Sequence, residues 1–174
     1  MEPATASGRI TSVILDWLIL LPFTLGITMY SLLYLKSYPL SLAPSLITLL
    51  YKVWMEKTRG ATFGKQIAGI QVVDYAGQPL SWSQAFTRSW FFLFSVILGI
   101  FQNMELYSIE AVQKAASMEE LIEALKMQSG GNTTLQTVSS LLLMLALVDV
   151  LYLFMDGQKR TLHDLWAKTF VVKR

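Results

Sequence analysis

The sequence predicts an all-α membrane protein of about four transmembrane helices. A small cytoplasmic interfacial element, hairpin or helix, and an extracytoplasmic helical insertion complete the expected fold. Three observations predict it. Of the 174 residues, 53% are hydrophobic and 15% charged, whereas a soluble domain carries about 25% charged residues. Four apolar segments are separated by polar ones, and Lys and Arg gather on alternate connections. The length suits one domain, read as residues 1–174.

The first apolar segment covers about residues 10–34, long enough to cross a hydrocarbon core of ~30 Å with some tilt. The preceding MEPATASGR has no cationic n-region and no A-x-A site, so this segment is read as retained rather than cleaved. The second, about residues 40–55, is short and carries Pro44 and Lys52. It spans if Lys52 snorkels to the interface and Trp54 sits among headgroups; a re-entrant segment is the other reading. The third covers about residues 89–104 and the fourth about residues 135–155.

The link, about residues 56–88, contains RGATFGKQIAGIQVVDYAGQPLSW. Gly60 to Lys65 resembles a phosphate-binding loop, but that motif needs G-x-x-x-x-G-K-[ST] after a buried strand. Gly60 and Gly64 stand one residue too close, and Gln66 replaces the magnesium-binding hydroxyl. No nucleotide is expected. Thr62 suits a cap for a short turn, GIQVVD has strand character, YAGQPL is turn chemistry, and SWSQAF opens a helix toward the third span. Trp82 and Trp90 suit the interface.

The insertion, about residues 105–134, contains SMEELIEALKM. Ser117 and Glu120 form a capping box, Leu121, Ile122 and Leu125 supply an apolar face, and Gly130-Gly131-Asn132 ends the helix. The tail covers about residues 156–174. Link and tail hold most of the Lys and Arg, and the insertion is acidic. Both termini and the link are therefore expected in the cytoplasm and the insertion outside, in a multi-pass protein of the inner membrane.

Net charge is only +2, which argues against nucleic acid. There is no cysteine, which removes disulfides and thiolate metal sites. His163 is the only histidine, so no histidine-based metal site is expected. No catalytic constellation, cofactor or metal site is read from the residues, and enzyme activity is not expected.

Asp16 is the most informative charge. A carboxylate at the centre of a span costs roughly 2.5–3.5 kcal/mol, so Asp16 must face protein, water or a cation. Arg9 lies about 10.5 Å away along the helix and leans from it, so the partner of Asp16 should come from another segment. Asp149 is expected at a similar depth, with Asp156 two turns further on the same face. If the first and fourth spans touch, Asp16, Asp149 and Asp156 line one vestibule. That is a cation or proton site, because two close carboxylates do not both ionise easily. Alternatively it is a polar cluster that fixes helix packing. Thr161 and Asp164 fit a helix start; Asp164 also suits an ion pair with Arg9 that ties the tail to the first span. Lys57, Arg59, Lys65 and Arg88 are read either as contacts to anionic headgroups, at about 1 kcal/mol each, or simply as determinants of topology.

Arg9, Asp16, the series Arg59-Gly60-x-Thr62-x-Gly64-Lys65 with Gly69, Val72-Val73-Asp74, Gly77 and Pro79, and the terminal Leu162-His163-Asp164 with Ala167, Thr169 and Val171-Val172 form an ordered pattern. It resembles the RDD family of small multi-pass membrane proteins, whose arginine and two aspartates match Arg9, Asp16 and Asp164. The resemblance implies a transport role in the lipid bilayer, as a cation/proton antiporter; the carboxylates suit monovalent cations and protons, and because four spans are few for an alternating-access pathway a homo-oligomer is expected. Its alternative is a non-catalytic accessory or assembly subunit of a larger membrane complex.

Overall fold

The computed structural model describes residues 2–127 and 133–174. It is predominantly helical. Helix α1 covers Ala6–Tyr30 and runs into a π-turn at Ser31–Leu35; α2 covers Tyr38–Arg59, α5 Trp90–Ser108 and α8 Thr133–Met155. Among the described residues, three helical stretches are long and apolar enough to cross a membrane: Ala6–Leu35, Trp90–Ser108 and Gln136–Met155. Helix α2 has 22 residues but is less apolar, because Lys52, Glu56 and Lys57 crowd its last turns. The four long helices form a row: α1 packs on α2, α2 on α5, and α5 on α8.

Polar contacts close both ends of the row. At one end, the π-turn is fixed by Ser31, which donates to the Ser37 carbonyl (2.7 Å) and so accepts from the Tyr107 hydroxyl (2.6 Å). Lys36, in the left-handed conformation (φ 49°), donates to the carbonyls of Leu32, Val112 and Ala115. The last two lie in and just after α6, Glu110–Lys114. Helix α7, Met118–Met127, starts at the expected Ser117–Glu120 box, with Glu120 N–H on Ser117 Oγ (3.2 Å) and Ala116 N–H on Glu120 Oε2 (2.7 Å). Its buried face differs from expectation. Leu121 and Ala124 pack with Leu32 and Val112, while Ile122 and Leu125 stay exposed. The helix offers a wider apolar arc than the π-turn covers. The expected terminator, residues 130–132, lies outside the described residues.

At the other end, the link forms α3, Phe63–Ile67, strand β1, Ile70–Asp74, and α4, Trp82–Arg88; the tail forms α9, Leu162–Ala167, and strand β2, Thr169–Lys173. The link is not a hairpin. β1 pairs antiparallel with β2, Val72 opposite Val171, so its partner comes from the distant tail. The N-terminal segment covers the far edge of β2: Ala4 N–H donates to Val171 O (2.9 Å) and Lys173 N–H to Glu2 O (3.1 Å). Val72 and Val171 are buried with Leu49, Val53, Leu80 and Ala85. The N-terminus, link and tail thus share one small core.

Truncating the centre of that core removes packing and leaves a cavity. Val171→Ala is expected to cost about 2 kcal/mol and to lower the thermal midpoint of the detergent-solubilised protein. Truncation of exposed Ile122 to Ala should leave that midpoint almost unchanged.

Candidate functional site: a carboxylate clasp and a buried ion ladder

The link closes on α1 through Asp16. Helix α2 ends at Gly60, whose positive φ (67°) turns the chain back. Thr62 then caps α3, accepting Lys65 N–H at 3.4 Å. Its hydroxyl donates to Asp16 Oδ2 (2.6 Å). Asp16 Oδ1 accepts Gly64 N–H (2.8 Å) and the Tyr51 hydroxyl (2.8 Å), and Tyr51 in turn accepts Phe63 N–H (2.8 Å). A Cβ on Gly64 would lie 2.1 Å from the Ser12 carbonyl of α1, so only glycine permits this approach. The loop that looked like a phosphate cradle holds a carboxylate of its own chain. As expected, the partners of Asp16 come from other segments.

Beside the clasp runs a ladder of alternating charge. Arg9 Nη1 donates to Asp164 Oδ2 (2.5 Å). Arg88 Nη1 donates to Asp164 Oδ1 and to Thr169 Oγ1 (2.5 Å). Arg88 Nε reaches Glu56 Oε2 (3.0 Å), Lys65 Nζ reaches Glu56 Oε1, and Lys52 Nζ lies 3.6 Å from the same oxygen. Asp164 and Glu56 are fully buried and Arg88 is 2% exposed. Six elements, α1, α2, α3, α4, α9 and β2, meet through these side chains. Asp164 also accepts Thr161 N–H (3.1 Å) at the start of α9. Capping and the Arg9 pair, read from sequence as alternatives, are performed by one carboxylate. Burial alone would raise the Asp164 pKa; Arg88, His163 and Arg9 outweigh burial and hold it far below the usual carboxylate range. Burial opposes the Arg88 charge in turn, and Asp164 and Glu56 more than restore it.

Several expectations need correction. Lys65 and Arg88 are not lipid-facing: both turn inward to neutralise Glu56, and Arg88 also serves Asp164. Lys52 does not snorkel; it donates to Ser89 Oγ (3.2 Å) beside Glu56. Lys57 is half-buried and Arg59 exposed, its guanidinium 6.0 Å from the Phe63 ring. Asp16, Asp149 and Asp156 belong to separate hydrogen-bonded sets. Asp149 accepts His163 N–H (3.0 Å) and lies 2.8 Å from His163 Nδ1. Asp156 is held by the Arg160 guanidinium at 2.9 and 3.0 Å. The principal packing partners of α1 are α2 and α3, and those of α8 are α5 and α9. Sequence reasoning missed Glu56, Tyr51 and the part played by Thr169. Glu56 carried a signal, four residues after Lys52 at the end of an apolar helix; Thr169 stood in the ordered terminal pattern, and Tyr51 carried none.

Arg88→Met strands two buried carboxylates and is expected to destabilise the fold by about 3–5 kcal/mol, read as a loss of thermal stability in detergent. The Asp164 carboxylate has a lower pKa folded than unfolded. Its contribution is therefore complete above the unfolded value near ~3.9 and is lost as pH falls below it toward the folded value. Acid unfolding monitored by near-ultraviolet circular dichroism should show this limb, and Asp164→Asn should remove it.

Arg9, Asp16 and Asp164 all lie in this clasp and ladder, as do Gly60, Thr62, Gly64 and Lys65. No curated protein and no solved structure matches the chain. The family model described as the RDD family matches residues 3–168, a span that includes every residue of the clasp and every charged residue of the ladder. The chain belongs to the RDD family.

Proposed function

We propose that this protein is a non-catalytic accessory or assembly subunit of a larger complex in the inner membrane, crossing the bilayer four times with both termini in the cytoplasm. The observation that carries the reading is the use made of its buried acids. Glu56 and Asp164 are saturated by cations from four elements, and Asp16 accepts three hydrogen bonds. Their chemistry is spent on holding the chain together, as suits a rigid platform for a partner.

Parity supports the four crossings. The N-terminal segment, β1 and β2 are hydrogen-bonded to one another, so they lie on one side of the membrane. A chain that leaves that side through α1 must return before the link, and α2 is the helix between them. At ~1.5 Å per residue its 22 residues reach ~33 Å. Helices α5 and α8 form the second outward and return pair. The cationic link and tail, set against Glu105, Glu110, Glu119, Glu120 and Glu123 in the insertion, support the cytoplasmic assignment of that side.

One observation favours transport of monovalent cations and protons as the second reading. The donors to Asp16 are all uncharged, so protonation or cation exchange there would break no ion pair. Purification from native membranes in mild detergent separates the two readings. A stoichiometric larger partner is expected; a homo-oligomer alone would weigh against the accessory role. In proteoliposomes, sodium- or lithium-dependent proton flux that disappears in Asp16→Asn would move the assignment to transport.

A further inference from the structure

Hydrogen bonds between the long helices define two levels across the row. The inner level is set by Asp16 with Tyr51 (2.8 Å) and by Lys52 with Ser89 (3.2 Å). The outer level is set by Ser31 with Tyr107 (2.6 Å) and Ser37 (2.7 Å). Gln102 with Ser139 (2.7 Å) fixes the antiparallel register of α5 and α8, which places Leu151 near the level of Trp90. Between the levels each helix has about 14–17 residues, or ~21–26 Å. A hydrocarbon core is ~30 Å thick. The stretch between the levels falls short of that thickness by roughly 4–9 Å.

Apolar side chains just beyond the inner level fit that shortfall. Phe63 and Ile67 stand four residues apart on α3, and Trp82 and Phe86 four apart on α4, so each pair shares a face. Ile67 is 66% exposed and Trp82 51%, while Gly64 and Ala85 face inward. Val13 of α1 is exposed at the same end. The chain has five tryptophans, Trp17, Trp54, Trp82, Trp90 and Trp166. All belong to the inner end of a long helix or to the link and tail, where indole suits the bilayer interface. Lys57 and Arg59 take part in no ion pair among the described residues. Both lie in the last turn of α2, which leads into α3, and the Arg59 guanidinium is 6.0 Å from the Phe63 ring; cations at the border of an apolar face complement anionic headgroups.

We propose that α3 and α4 are embedded in the cytoplasmic leaflet. Phe63, Ile67, Trp82 and Phe86 turn into the acyl region, and Lys57 and Arg59 sit on the phosphates of anionic phospholipids. The clasp then lies just inside the cytoplasmic edge of the acyl region, where Tyr51, Thr62 and Gly64 satisfy Asp16. This placement depends neither on a partner nor on transport.

The chain has no cysteine, so single-site spin labelling needs no background removal. Ile67→Cys, Phe86→Cys and Ala76→Cys are labelled in nanodiscs of phosphatidylcholine with phosphatidylglycerol, and collision with oxygen and with a water-soluble nickel chelate is measured. Ala76 is exposed in the turn after β1. Labels at 67 and 86 should favour oxygen over nickel several-fold more than the label at 76. Equal nickel access at all three sites would place the element in water and overturn the proposal. Shielding of 67 and 86 from both reagents would show a protein cover and overturn it equally. Lys57→Gln with Arg59→Gln should weaken preference for phosphatidylglycerol over phosphatidylcholine by about 25-fold, at about fivefold per cation. An unchanged preference would remove the headgroup contact.

Discussion

The structure depends on one shared carboxylate. Asp164 gives one oxygen to Arg9 and the other to Arg88, and so joins the start of the chain, the end of the link and the tail. An isolated buried carboxylate would be prohibitive, and an ion pair in a protein interior is weak evidence for net stability, because desolvation offsets attraction. The consequence here is positional. Once Arg9 and Arg88 enter the interior, no other arrangement of the tail satisfies both, so α9 can dock in only one way. Glu56 repeats the logic one rung further, holding Arg88 against Lys65. Four cations surround two carboxylates in this ladder, and that positive excess lies on the face that sequence asymmetry assigns to the cytoplasm.

The clasp shows how a phosphate-loop pattern arises without a phosphate. Small residues bring backbone N–H groups close to an anion, and a Thr hydroxyl adds a donor. A bound nucleotide is one such anion; Asp16 is another. Gly64 is required because the Ser12 carbonyl leaves no room for a side chain, and Gly60 because the chain must reverse at the end of α2. Lys65, which would meet phosphates in a nucleotide site, turns instead to Glu56. The resemblance was one of donor geometry, and the anion differed.

What was legible in the sequence was local. The helix opening at SWSQAF, the Ser117–Glu120 box, the Thr62 cap and the long apolar runs all act within a few residues, and each appears in place. Arg9 with Asp164 was legible as one of two readings of a tail aspartate, the other being the helix cap. The remainder was not local. Arg88 and Lys65 look like ordinary interfacial cations until Glu56, 32 residues from Arg88, is seen between them. GIQVVD reads as a strand, but its partner is nearly 100 residues away, and nothing in TFVVK alone distinguishes it from the end of a helix. The vestibule of three aspartates failed for the same reason. Depth along a helix can be counted from sequence, whereas helix order in the row cannot.

Helix order also explains why Asp16 is tolerated. A carboxylate in α1 is a heavy burden if α1 faces lipid on all sides, and α1 does expose much of its surface. Its neighbours resolve this only at one height, where Tyr51, Thr62 and Gly64 converge. One turn toward the outer end would take Asp16 beyond the reach of the link; one turn inward would take it into the ladder beside Arg9. The position is therefore set by the end of α2, because the reversal at Gly60 fixes how far the link can climb along α1. The height of that reversal determines where the clasp forms and how much apolar helix remains beyond it. The interfacial helices and the span length are consequences of a single turn.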